Sequence, residues 1–234
     1  MEVYNKNRDK NQSMHDEIRE QNAKLKDAPL KEKIAYFQEY YLKATLAIIV
    51  AAIFVGYLAF TILTAPDDTA FAAFFYNDTG DSSNTGLIDG FIEHINLDTK
   101  KHDAYIDTTM TYSSNSTDYD SYIGLEKAMA VISTKELDVI VGDADTIDYF
   151  ARSECFYDIT TVLPDDLIEK FHDKFYYVKV GDSAEPIPVG IYVTDSPKLN
   201  EYYYYVDLEP IFSFIINSNS LENAIEFLRY IYIE

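Results

Sequence analysis

From Ala44 to Thr64 the chain runs through 21 apolar or weakly polar residues, ATLAIIVAAIFVGYLAFTILT, without a single charge. At 1.5 Å per residue a helix of that length is about 30 Å long, the hydrocarbon thickness of a bilayer. A domain of this size has too little interior to hide such a cylinder on every side. The run therefore predicts one transmembrane helix. It divides the chain into a tail (1–43), a span (44–64) and a C-terminal domain (67–234).

The flanks predict an orientation. Lys24, Lys26, Lys31, Lys33 and Lys43 precede the span, whereas Asp67 and Asp68 follow it and no basic residue occurs before Lys100. Basic residues close to a span favour the cytoplasmic side, so the N-terminus is expected inside and 67–234 outside. Tyr36, Phe37, Tyr40, Tyr41 and Lys43 suit the headgroup layer just before the span. Ala70-Phe71-Ala72 has the form of a signal-peptidase site, but the apolar run exceeds a usual signal core and lies 43 residues into the chain. An uncleaved anchor is expected.

Charge separates the two flanks as well. Residues 1–43 hold nine Lys/Arg and eight Asp/Glu, whereas 67–234 hold ten and 32, a net charge of −22. A surface this acidic repels phosphate backbones and excludes nucleic acid as a partner. The domain is rich in Tyr, Phe and Ile, so it has the material for a core. Cys155 is the sole cysteine, so no internal disulfide can form. A disulfide-free extracytoplasmic domain fits a bacterial or anaerobic source, and Cys155 is expected to be a buried, inert thiol, with dimerisation through it as the second reading.

Within the tail, Ser13 with Asp16 and Glu17 predicts a helix start, Ala28-Pro29 a break, and Lys31 onward a helix running unbroken into the span. Beyond Pro66 the pattern becomes α/β. Strands are expected at 70–77, 103–112 and 137–142, with helices at 86–96 and 118–133 between them. Ile123, Met129, Ala130 and Val131 are the expected core face of the second helix. Leu137–Gly142 is the short apolar run of a buried parallel strand. A helix at about 145–153, an extended 156–159, a short helix after Pro164 and strands at 175–180, 186–193 and 210–217 follow. Pro186 and Pro188 predict that 186–193 is an edge or crossover strand. Ser220 is placed to cap a last helix over 221–232.

Several of these segments carry a resemblance. Leu137–Gly142, then FYDITTVLP (156–164), Pro188-Val189-Gly190-Ile191, and the closing FSFIINSNSLENAIEFLRYI (212–231) fall in a familiar order. Together they resemble the extracellular solute-binding proteins of ABC importers, with the type 2 periplasmic-binding fold. The resemblance implies a membrane-anchored, shortened relative. Its second lobe is reduced to about 164–210, a helix stands in place of a lipidated cysteine, and a small polar solute is captured for transport or sensing. It implies an ABC-type permease or another membrane protein as partner. The same fold with a vestigial cleft would instead serve as a docking subunit of a membrane complex.

In an open α/β sheet ligands bind beyond the carboxyl ends of the strands. That rule selects Tyr76, Asn77, Tyr112, Asp143, Asp145 and Tyr149. Carboxylates and flat rings suit a sugar, and they suit a cationic solute equally. Asp143 or Asp145 has a second reading as the cap of the following helix. The acidic runs NDTGDSSN (77–84) and DADTID (143–148) lack the calcium-loop order, and His15, His94, His102 and His172 lack zinc spacing. No nucleophile elbow, phosphate loop or dinucleotide motif occurs. A protein that binds a small polar ligand, a carbohydrate foremost, without cofactor or metal and not an enzyme, is expected. Tyr202–Tyr205 would set at least two rings on one face of a strand, as core plus surface or as a sticky patch.

Overall fold

A computed structural model describes residues 19, 23, 26, 28–114, 119–181 and 185–233, with the side chains of 36, 39 and 40 excepted. The expected helix start at Ser13, with Asp16 and Glu17, and the interfacial side chains of Tyr36 and Tyr40 lie outside the described residues. The chain forms two compact units, 1–64 and 65–234.

In the first unit Pro29 precedes helix α1 (Leu30–Tyr40), and its carbonyl accepts from the Glu32 and Lys33 amides. Helix α2 (Leu42–Thr64) follows after Tyr41. The expected unbroken helix is thus interrupted by one residue. The hydrogen-bond ladder nevertheless carries through it, since Tyr41 N–H donates to Phe37 and the Tyr41 carbonyl accepts from Thr45. The most apolar 18-residue stretch of this 23-residue helix has a mean hydropathy of 2.7, and the helix has no buried residue. It is long and apolar enough to cross a membrane. Its two C-terminal threonine hydroxyls donate back to Tyr57 (3.0 Å) and Phe60 (2.8 Å) carbonyls, which leaves neither group unpaired in an apolar medium.

The second unit is α/β, with six strands in one mixed sheet. In chain order its elements are β1 (Asp68–Tyr76), α3 (Gly86–His94), β2 (His102–Met110), α4 (Tyr119–Thr134), β3 (Val139–Gly142), α5 (Ala144–Arg152), α6 (Asp165–Phe171), β4 (Phe175–Val178), β5 (Ile187–Tyr192), α7 (Pro197–Glu201), β6 (Ile211–Phe214) and α8 (Leu221–Tyr230). The strand order is β2-β1-β3-β6-β5-β4. The first three are parallel; β6 is antiparallel to β3, and β5 and β4 continue antiparallel.

The run FAAFFY explains why β1 is central. Phe71, Ala73 and Phe75 enter one core with Leu87, Phe91, Phe212 and Phe227, while Ala72, Phe74 and Tyr76 enter the other with Met110, Ile132, Ile147 and Phe150. A strand covered on both faces needs an apolar residue at every position rather than alternation. Helices α3 and α8 cover the first face, α4 and α5 the second.

Three expectations are corrected here. Helix α4 turns Ser121, Gly124, Ala128 and Ile132 inward and leaves Ile123 and Met129 exposed. Its sheet-facing side is small because it lies close to the strands: a Cβ on Gly124 would stand 3.1 Å from the Thr111 carbonyl. Of the expected core face, Val131 alone packs partly against the core, and Ile132 is the large residue turned fully inward. Strand β5 is not at an edge; β4 is. Its prolines are tolerated because β6 pairs only with Ile191 and Tyr192, beyond Pro188, and the β4 pairing is irregular opposite it. Finally, the region expected as a second lobe supplies β4 and β5 to the same sheet, and 65–234 is a single compact unit.

One carboxylate is buried in this core. Asp138, 1% exposed, accepts from the Ala72 amide (2.8 Å) and the Ser218 hydroxyl (2.5 Å) at the foot of β3. Burial without a cation pushes its carboxyl up to about 6, although those hydrogen bonds pull the other way. Ser220 occupies the N-cap of α8 without a side-chain cap; its own amide donates to Ser218 Oγ instead. Cys155 is buried and free, and burial pushes its thiol up.

Candidate functional site

The sheet order reverses at β1: the chain moves outward to β2, then returns to place β3 on the opposite side of β1. The connections diverge there, leaving a crevice beyond the carboxyl ends of β1 and β3. Because β6 runs antiparallel to β3, with Gly142 opposite Ile211, the entrance of β6 lies at that same end. The exit of β5 lies there too, with Tyr192 opposite Ile211. Strand direction alone therefore gathers three separate stretches of sequence into one place.

The result is a cleft of about 560 Å³ lined by Tyr76, Asn77, Asp143, Ala144, Tyr192, Tyr205 and the Asp207–Pro210 segment. Its volume is within the range of small-molecule sites. Of the six expected residues, Tyr76, Asn77 and Asp143 line it. Tyr112, Asp145 and Tyr149 do not; they form a neighbouring cluster. The Tyr112 and Tyr149 rings lie 5.0 Å apart, and Asp145 accepts from Ser114 Oγ at 2.7 Å.

Most of the expected groups are already engaged in holding the strand ends together. Asn77 has φ +56°, a conformation asparagine tolerates better than most residues. Its Oδ1 accepts from the Tyr112 amide (2.9 Å), and its Nδ2 donates to the Tyr112 carbonyl (2.7 Å) and to Asp143 Oδ2 (3.1 Å). Asp143 caps α5, its Oδ1 accepting from Thr146 N (3.0 Å) and Thr146 Oγ1 (2.6 Å). The capping reading thus applies to Asp143 and not to Asp145. Tyr76 is fully buried and its hydroxyl donates to the Gly124 carbonyl at 2.9 Å, so it shapes the floor only. Burial, with the nearby Asp107 charge, keeps that phenol neutral far above physiological pH. Gly142 is required beside it, because a Cβ there would lie 3.1–3.2 Å from Thr146 and Tyr76 side-chain atoms.

The far wall is the part the sequence concealed. Tyr202–Tyr205 is not a strand; it follows α7 as a run of turns. Tyr203 is exposed, while Tyr204 and Tyr205 are buried. Tyr203, Tyr205 and Asp207 alternate at φ +62°, +55° and +60°. Such left-handed conformations each cost about 1–2 kcal/mol for a residue with a Cβ. Tertiary bonds hold them. The Tyr205 amide donates to Asp78 Oδ1 (2.9 Å), the Tyr205 hydroxyl to the Val141 carbonyl (2.9 Å), and the Tyr204 hydroxyl to the Asn84 carbonyl (3.0 Å). Burial, followed by the Asp78 charge, pushes the Tyr204 phenol up to about 12 and Tyr205 well above its ordinary value. Both therefore remain neutral donors.

Ala144, Tyr192, Tyr205, Asp207, Leu208, Glu209 and Pro210 are the lining residues that the sequence did not indicate. The signal that could have found them was topological: a β5–β6 antiparallel pair beside β3 brings 192 and 205–210 to the carboxyl end of the parallel strands. Comparison with family models, with curated proteins and with solved structures finds no match to this chain.

Proposed function

We propose that the chain is a membrane-tethered binding module. Helix α2 anchors it with the N-terminus in the cytoplasm, and the extracytoplasmic domain captures a small polar solute in the cleft at the β1/β3 strand ends. The observation that carries this reading is the open cleft at the reversal of strand order, built by residues from three distant stretches. The lysine bias before α2 and the aspartates after it support the orientation. Strand β6 returning beside β3 and leading into α8 is the arrangement implied by the resemblance to solute-binding proteins, and it supports capture for transport or sensing. With one sheet and one cleft wall formed by 205–210, capture here does not depend on closing two lobes.

The test is thermal unfolding of the full chain in lipid nanodiscs against sugars, amino acids, amines and metal salts. A solute of at least one class raises the melting temperature, by an amount equivalent to about 2.7 kcal/mol at a hundredfold excess over Kd. Ala144→Trp, at an exposed position on the cleft wall, abolishes the rise. A panel without any shift contradicts capture and leaves a docking subunit with an unused cleft.

A further inference from the structure

We propose that the ligand of this cleft is an organic cation, an ammonium or guanidinium compound with a short apolar stem, rather than a neutral sugar. The inference rests on the cleft being a binding site and concerns what its walls can recognise. A sugar hydroxyl both donates and accepts, so a sugar site needs donors as well as acceptors. Apart from the first amides of α5, the donors on these walls are nearly spent. Both Asn77 Nδ2 hydrogens are directed at the Tyr112 carbonyl and Asp143, the Tyr76 hydroxyl at Gly124, and the Tyr205 hydroxyl at Val141. The remaining side-chain donor is the Tyr192 hydroxyl, which has no partner among the described residues.

Acceptors, by contrast, are in excess. Asp207 and Glu209 bring two exposed carboxylates to the walls beside Asp143, whose oxygens already accept from Thr146 and Asn77, and none of the lining residues is Lys, Arg or His. Asp207 and Glu209 form no ion pair among the described residues. A ligand that only donates, and carries positive charge, answers both imbalances together. A single metal ion does not: among the described residues no group of three or more His, Cys, Asp or Glu is arranged to hold one. Carboxylates spread over a cleft of about 560 Å³ instead suit a larger cation whose stem lies against Leu208 and Pro210.

The experiment is calorimetric titration of the full chain in nanodiscs with 1,4-diaminobutane, choline and agmatine, against glucose, glycerol, acetate and calcium chloride. The amines bind. Their affinity falls with added salt, and the double variant Asp207→Asn/Glu209→Gln, at exposed positions, weakens it roughly tenfold. Glucose or glycerol binding that Ala144→Trp blocks, with the amines silent, overturns the cation assignment and leaves the cleft as a binding site. Calcium binding alone overturns it as well. Amine binding unchanged in the double variant overturns it by placing the amines elsewhere. Silence from every probe overturns the assignment and counts against the cleft as a binding site at all.

Discussion

Helix α2 and strand β1 are the two most continuously apolar stretches of the chain, and they treat their side chains in opposite ways. In α2, Ile48, Ile53, Phe54, Val55, Phe60 and Leu63 are exposed; in β1 every residue from Phe71 to Tyr76 is fully buried. The difference lies in what surrounds each. A sheet carries helices on both faces and can bury six consecutive apolar residues of one strand. A helix apolar all round and without a buried residue among those described is long and apolar enough that a bilayer would remove its surface from water.

The largest expected effect sharpens that contrast. Phe75→Ala removes a fully buried ring that packs 5.3 Å from Tyr204 and 5.7 Å from Tyr205. It should lower the stability of the C-terminal domain by about 3–5 kcal/mol in urea titration. Phe54→Ala, an equal truncation in α2, should leave that titration unchanged. An effect of equal size at Phe54 would break the comparison, because it would mean that the helix is buried against protein.

Charge provides the next test. Val55→Arg at the middle of α2 should oppose insertion by about 3 kcal/mol and move protein from the membrane to the soluble fraction in flotation assays. The C-terminal domain tolerates one buried carboxylate among the described residues, Asp138, and its carboxyl is raised from 3.8 to about 6. A raised acid binds more protons folded than unfolded between those values, so stability falls as pH rises through that window. Its contribution is fully present below pH 3.8 and is lost above about 6, a change on the order of 3 kcal/mol. Denaturant titrations at pH 4.5 and 7 should show the native chain gaining on acidification relative to Asp138→Asn. Parallel curves for the two would contradict the assignment. The bidentate Arg229 pair, which holds Asp166 below the ordinary carboxylate range, has the opposite sign and is lost as pH falls.

The smallest effect concerns the cleft. Asp143→Ala removes the α5 cap and one of the Asn77 contacts, and should cost about 1 kcal/mol of stability. It should also loosen solute binding, so a stability loss with unaltered affinity would remove Asp143 from recognition.

The parallel half of the domain was legible because its signals are local. FAAFFY and DVIVG are apolar runs with nowhere to go but a doubly covered sheet, and the strand-end rule then leads to Asn77 and Asp143 directly. The antiparallel half was not. Nothing in Pro186–Val193 or Pro210–Asn217 says which neighbour each strand takes, and the prolines of β5 point to an edge that the irregular β4 pairing makes unnecessary. Without that pairing, Tyr192 and Asp207–Pro210 had no place in the site. The four tyrosines at 202–205 were visible, but as a strand they would alternate between faces, whereas the left-handed residues at 203 and 205 fold them into turns. The inward face of α4 is hidden for a related reason: close approach to the sheet puts the small Gly124 and Ala128 inward with Ile132, while Ile123 and Met129 face out.

The most direct test of the account is hydrogen–deuterium exchange of the full chain in nanodiscs, with and without the tightest-binding solute of the panel. The account predicts slowed exchange at 76–77, at the first turn of α5 and across 205–210, with the β4 edge and α4 unchanged. Protection confined to other segments, or absent while the solute is bound, would contradict a binding site at the β1/β3 strand ends.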